Sequence, residues 1–266
     1  KDTKMAIQVS GTEVISNARN ISNVGTVTAT NFVGGGAGLT GLSAAPFAPD
    51  FDPLATPDVT LTSSSTWTKP ALDASSWVTI WMIGGGGGGR IDTDWANGGT
   101  GGNAVLFSML ASGLPASIAF TVGAGGASNS SGGDTSCTIS GVTYIANGGI
   151  RANGSTMTVT PGTGVYAVPY NGLPPFSFGA VPADSQGGWA FRASPGGTSV
   201  YGGGGGGSFY GGTPGYGGVS TYGGNGGNTT ASTTCTNGAT PGGGGGGKTS
   251  GTACSGGAGR VFIYYG

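Results

Sequence analysis

The chain has 266 residues, of which 62 are glycine and 14 proline, with charged residues at 7% and a formal net charge of −1. So small a charge supplies no attraction for nucleic acid or an anionic membrane, and no apolar run of about 18 residues offers a membrane-spanning helix. Glycine at this level points by itself to low complexity, but the 10 Phe, 5 Trp and 9 Tyr supply the apolar surface that disordered chains lack, so an ordered all-β chain with many turns is expected.

Residues 1–45 space Val14, Ile15, Ile21, Val24, Val27 and Phe32 through Asn, Ser, Thr and Gly, ending in GGGAGLTGL at Gly34–Leu42. That pattern predicts short strands and turns. The segment is too short to bury a core by itself, so it needs copies of itself or the next domain. Residues 46–65, with Pro46, Pro49, Pro53 and Pro57 ahead of a Thr/Ser run, read as an extended connector.

The main domain is expected over 66–266. Its candidate strands are Trp77–Ile83, Ala104–Leu110, Ser117–Val122, Cys137–Ile145, Met157–Thr160 and Val261–Tyr265, rich in β-branched or aromatic residues and bounded by Gly, Asn or Ser. WVTIWMI at Trp77–Ile83 is apolar almost throughout, which predicts a strand covered on both faces.

Three runs of six glycines follow one another: Gly84–Gly89, Gly202–Gly207 and Gly242–Gly247. In the polyproline II conformation, at about 3.1 Å per residue, each would be a rod of roughly 19 Å. Without side chains, such polyglycine II rods can lie side by side and bond to one another, answering the demand that buried backbone groups be paired. Flexible linkers are the alternative. Trp81, Met82 and Ile83 before one run, and Tyr201, Phe209 and Tyr210 around another, favour packing, because linkers have polar neighbours.

Catalytic and metal chemistry find little support. Gly242–Thr249, GGGGGGKT, satisfies the phosphate-loop pattern, but polar residues precede it and SGTACSGG after it cannot form the required helix, so no nucleotide is expected. With no histidine there is no Ser-His or Cys-His pair and no zinc set. Asp92 and Asp94 lack the rest of a calcium loop and read as solvated turn residues. No enzyme, metal or cofactor is expected. Of the three cysteines, Cys235 and Cys254 flank one glycine run and are candidates for a disulfide, with free thiols as the alternative.

Large side chains outside the strands point to recognition. Val165–Arg192, VYAVPYNGLPPFSFGAVPADSQGGWAFR, is dense in aromatics and proline without alternation and reads as a long loop. Loops on rigid scaffolds carry binding, and aromatics with an occasional Arg anchor recognition surfaces. The candidates there are Tyr166, Tyr170, Phe176, Phe178, Trp189, Phe191 and Arg192, the alternative for the first four being a lid that covers the core from outside. Trp95, beside Arg90, forms a second group, and Phe209, Tyr210, Tyr216 and Tyr222 a third.

The stretch ISNARNISNVGTVTATNFVGGGAGLTGL, Ile15–Leu42, resembles the shaft or collar repeats of bacteriophage tail fibres. Residues 66–266 resemble the glycine-rich domain at the tips of such fibres, through STWTKP at Ser65–Pro70, WVTIWMIGGGGGG at Trp77–Gly89, AFTVGAGG at Ala119–Gly126 and GGAGRVFIYYG at Gly256–Gly266. The resemblance implies a homotrimeric stalk joined to other tail proteins, location in the virion, and a β framework with glycine-rich loops. The tip would touch a host surface receptor, either a polysaccharide or an outer-membrane protein. The competing expectation is a structural or ice-binding protein built from polyglycine rods without receptor function.

Overall fold

The computed structural model describes residues 7–9, 12–15, 55–91, 95–151, 195–210, 212–231 and 233–266. The chain divides into two units, Lys1–Ala45 and Pro46–Gly266. In the first, β1 (Ile7–Val9) and β2 (Thr12–Ile15) pair antiparallel, Gln8 opposite Glu13, with a register shift beside Ile7.

The second unit begins with β3 (Val59–Leu61), β4 (Ser65–Thr68), β5 (Trp77–Ile83), β6 (Trp95–Ala96), β7 (Ala104–Leu110) and β8 (Ser117–Thr121). It continues with β9 (Thr135–Ile139), β10 (Val142–Ala146), β11 (Phe209–Tyr210), β12 (Thr229–Ala231), β13 (Thr234–Cys235) and β14 (Arg260–Tyr265). Two four-stranded antiparallel sheets carry the core, in the orders β3-β14-β5-β7 and β10-β9-β8-β4. Among the described residues the one helical piece is a 3-10 turn at Ala111–Gly113, steadied by the Lys69 ammonium, which donates to the Ala111 and Leu114 carbonyls at 2.7 and 2.8 Å.

The inner faces bury Val78, Ile80, Met82, Phe107, Val261 and Ile263 of one sheet against Trp67, Ile118, Phe120, Ile139 and Tyr144 of the other. The Tyr144 ring stacks on Phe107 at 4.1 Å. Alternate residues of β5 serve the opposite face, where Trp81 and Ile83 pack with Ala104, Leu106, Phe262 and Tyr264. The unbroken apolar run at Trp77–Ile83 is therefore a strand covered on both sides.

Two details differ from expectation. Cys137–Ile145 is a hairpin of β9 and β10, because Ser140 (φ 50°) and Gly141 (φ 82°) make a left-handed two-residue turn that suits antiparallel strands. Val59–Leu61 pairs with β14, so the sheet starts inside the segment expected to be a connector. Met157–Thr160, expected as a strand, lies outside the described residues.

At one end of the sandwich, β5, β8 and β10 run on into glycine-rich segments at 84–89, 123–126 and 147–150, while β7, β9 and β14 are entered from segments at 98–102, 130–133 and 254–259. The later chain adds segments at 196–199, 202–207, 215–220, 223–228, 236–239 and 242–247. All three six-glycine runs are buried.

Their hydrogen bonds recur every third residue. Along the first run, Gly84, Gly87 and Arg90 donate to Asn103, Thr100 and Asn97; Gly85 and Gly88 donate to Gly133 and Ser130; Gly86 and Gly89 donate to Gly257 and Cys254. The carbonyls of Gly85, Gly86 and Gly87 accept from Gly149, Gly126 and Gly245. A strand bonds alternately to two sides; this run donates in three directions, accepts from three more and so bonds to six neighbouring segments. Gly242–Gly247 does the same, donating through Gly243 and Gly246 to Ala239 and Thr236, through Gly244 and Gly247 to Gly204 and Gly207, and through Gly245 to Gly87.

Close approach explains the composition here. A Cβ on Gly86 would overlap the Gly243 carbonyl, and one on Gly244 the Gly99 carbonyl. Any side chain would hold the segments apart and leave their polar groups unpaired.

Candidate functional site

The glycine bundle has two unlike ends. Beside the sandwich its segments are joined by tight turns at 200–201, 221–222 and 240–241. At the distal end they are joined by 90–97, 127–129, 208–214, 229–235 and 248–253, and the described chain leaves at Arg151 and re-enters at Pro195 at that end too. Longer connections are thus gathered where the rigid backbone stops.

The sequence candidates fall into four places. Trp95 and Tyr210 are register partners in the β6–β11 pair at the distal end, next to Phe209 opposite Ala96. Phe209 is buried, so its ring serves packing. Tyr216, on the outer segment 215–220, is 66% exposed, and Val219, one three-residue turn further on, is 60% exposed. Tyr222 lies at the sandwich end: it stacks on Tyr201 at 5.5 Å and meets Trp81 edge-on at 6.2 Å, pinning a tight turn to the outer face of the sheet. Tyr166, Tyr170, Phe176, Phe178, Trp189, Phe191 and Arg192 lie outside the described residues, as do Asp92 and Asp94.

Ile91 and Lys248, which sequence reasoning did not nominate for binding, also reach the distal end. Ile91, 39% exposed, bridges in parallel to Lys248, whose amide donates to the Arg90 carbonyl. Two cationic residues thus stand on adjacent segments at one level. Their position follows from the equal length of the first and third glycine runs, a signal visible in the sequence. The amides of Gly243–Gly247, which resembled a phosphate loop, all donate to carbonyls of neighbouring segments.

Cys235 and Cys254 are joined by a disulfide, Cα–Cα 5.9 Å, closing the chain around Gly242–Gly247. Cys137 is a free buried thiol, and burial pushes its pKa up to about 12. Among the described residues no cluster of metal-ligating side chains occurs, and none of their helices is long and apolar enough to cross a membrane.

Two antiparallel sheets prolonged by close-packed glycine segments, with long connections at one end, define a glycine-rich β scaffold. The chain belongs to the glycine-rich domain family, which it matches over residues 60–266. Comparison with curated proteins finds no match.

Proposed function

We propose that the chain is the receptor-binding tip of a bacteriophage tail fibre, a non-enzymatic adhesin that attaches the virion to a polysaccharide or outer-membrane protein of its host. The observation that carries this reading is the gathering of the longer connections at the distal end of a rigid bundle, opposite the turns that touch the sandwich. Variable loops on one end of a rigid framework are how binding surfaces are built on antiparallel scaffolds.

Within this reading the glycine bundle is a set of polyglycine II rods, supported by the three-residue recurrence of its hydrogen bonds, the periodicity of that helix. Residues 1–45 form the start of a homotrimeric stalk joined to other tail proteins, and three copies would raise avidity through effective concentration. Recognition falls to Trp95 and Tyr210 at the distal end and to the segment holding Trp189 and Arg192.

The test is adsorption of the purified chain to susceptible bacteria. Wild type should bind saturably, and Trp95→Ala and the Trp189→Ala/Arg192→Ala pair should each reduce binding roughly tenfold or more, as hot-spot aromatics do. No adsorption to any host cell, together with measurable freezing hysteresis, would instead establish the structural or ice-binding role.

A further inference from the structure

One distal connection is tied covalently. Beyond segments 223–228 and 236–239, β12 and β13 form a hairpin with Thr229 opposite Cys235 and Ala231 opposite Thr234. Strands of three and two residues do not hold together in water on their own, so this hairpin persists through its anchors. On β12 the anchor is the buried Thr229 hydroxyl, whose proton lies between the Gly247 and Gly207 carbonyls at 2.7 and 3.0 Å. On β13 it is the Cys235–Cys254 disulfide. The Lys248 ammonium also donates to the Thr233 carbonyl, at 3.4 Å and in solvent, where such contacts contribute little.

The two cysteines differ in what else holds them. Cys254 is part of the bundle: its amide donates to Gly246 at 3.2 Å and its carbonyl accepts from Gly89 at 2.9 Å. Cys235 is half-buried among exposed Thr233, Thr234 and Thr236, and the next cross-segment backbone bonds along the chain are at Thr236, which donates to the Asn228 carbonyl at 2.8 Å and accepts from the Gly246 amide at 3.2 Å.

We propose that the Cys235–Cys254 bond is a redox latch on the distal end. Oxidised, it seats β13 on the bundle; cleaved, β13 lifts away and the Gly246–Thr236 bond beside it opens, while Cys254, the other bonds of the glycine segments and the sandwich stay. The co-reactant is a small dithiol. Its thiolate attacks one sulfur, forming a mixed disulfide as the other cysteine leaves as thiolate and takes a proton. Its second thiol, deprotonating, then displaces the remaining cysteine, which is protonated in turn. Two electrons pass from the dithiol to the protein, leaving two protein thiols and a cyclic disulfide. This device operates on the fold itself and does not depend on what the tip binds.

Amide hydrogen exchange of the full chain, oxidised and after dithiothreitol treatment, reads the latch segment by segment. Reduction should speed exchange at Thr234–Thr236, and at Gly246, whose amide donates to the Thr236 carbonyl, by roughly tenfold or more, leaving Trp77–Gly89 and Gly242–Gly245 unchanged, as expected of local opening. A Cys235→Ser/Cys254→Ser variant should match the reduced protein; if it fails to fold, the reduced wild type still gives the answer. Unchanged exchange at 234–236 would overturn the proposal, because the bond would then hold nothing that the bundle does not. Loss of protection at 84–89 as well would also overturn it, making the bond a staple of the whole bundle.

Discussion

Gly85 donates its amide to the carbonyl of Gly133 at 2.9 Å, although the strands these residues adjoin, β5 and β9, belong to different sheets. Stacked sheets stand about 10 Å apart because side chains fill the space between them. Where the side chains end at Gly84, the two layers close to hydrogen-bond distance and the sandwich becomes a bundle.

That closure depends on the missing Cβ atoms. At Gly86 a methyl group would overlap the Gly243 carbonyl, whereas nothing lies within 4 Å of a Cβ on Gly113. Gly86→Ala should lose about 3 kcal/mol, at the upper end of overpacking costs, and Gly113→Ala should be close to neutral. Urea midpoints of the two variants decide; equal midpoints would refute the packed interior.

The junction is also tied by a side chain. The Thr135 hydroxyl, fully buried, donates to the Ile83 carbonyl at 2.7 Å and accepts from the Gly123 amide at 3.0 Å. Thr135→Val keeps the shape and leaves the Gly123 amide without that partner, at a cost of about 1–3 kcal/mol. Thermal melting of Thr135→Val beside Thr135→Ser, which retains the hydroxyl, measures it: the serine variant should recover most of the loss.

Tyr222 and Tyr201 bind the later glycine segments to the outer face of β5 through Trp81. Tyr222→Ala should cost about 2 kcal/mol, below the range for fully buried aromatics because this ring is half-buried. It should leave host adsorption of the folded protein unchanged. Reduced adsorption at full folding would return Tyr222 to the binding surface.

Alkaline pH should weaken the fold. Burial raises the Cys137 pKa from 9.0 to about 12, and that of Tyr144, its register partner, is raised by burial and then by the Cys137 charge. The folded state therefore holds protons that the unfolded state releases, so this contribution is fully present below pH 9 and is lost as pH rises towards 12. Urea midpoints between pH 8 and 11 should fall, and Cys137→Ala should flatten that slope; a slope equal to wild type would exclude the thiol as its source.

Much of the framework is legible in the residues. Apolar continuity marked Trp77–Ile83 as a doubly covered strand, and the apolar neighbours of the glycine runs set them apart from linkers. The spacing of Cys235 and Cys254 nominated a disulfide while leaving free thiols open; the structure joins the two. Tyr222 and Phe209 were less legible. Set between glycine-rich stretches, they resembled loop anchors, whereas their rings pack against the sheet and within the bundle. An aromatic in that setting carries no periodic signal that separates a lid from a contact residue.

By itself the sequence determined an all-β chain, its principal strands and the stretches from which side chains are absent. Tertiary structure alone decided which glycine segment lies against which, in what direction, and that the longer connections meet at one end. The reason is chemical: every glycine offers the same amide and the same carbonyl, so the glycine stretches of Gly84–Gly89 and Gly242–Gly247 do not encode their partners. The order and register of β5, β7, β9 and β14, together with the tight turns beside the sandwich, assign those partners instead.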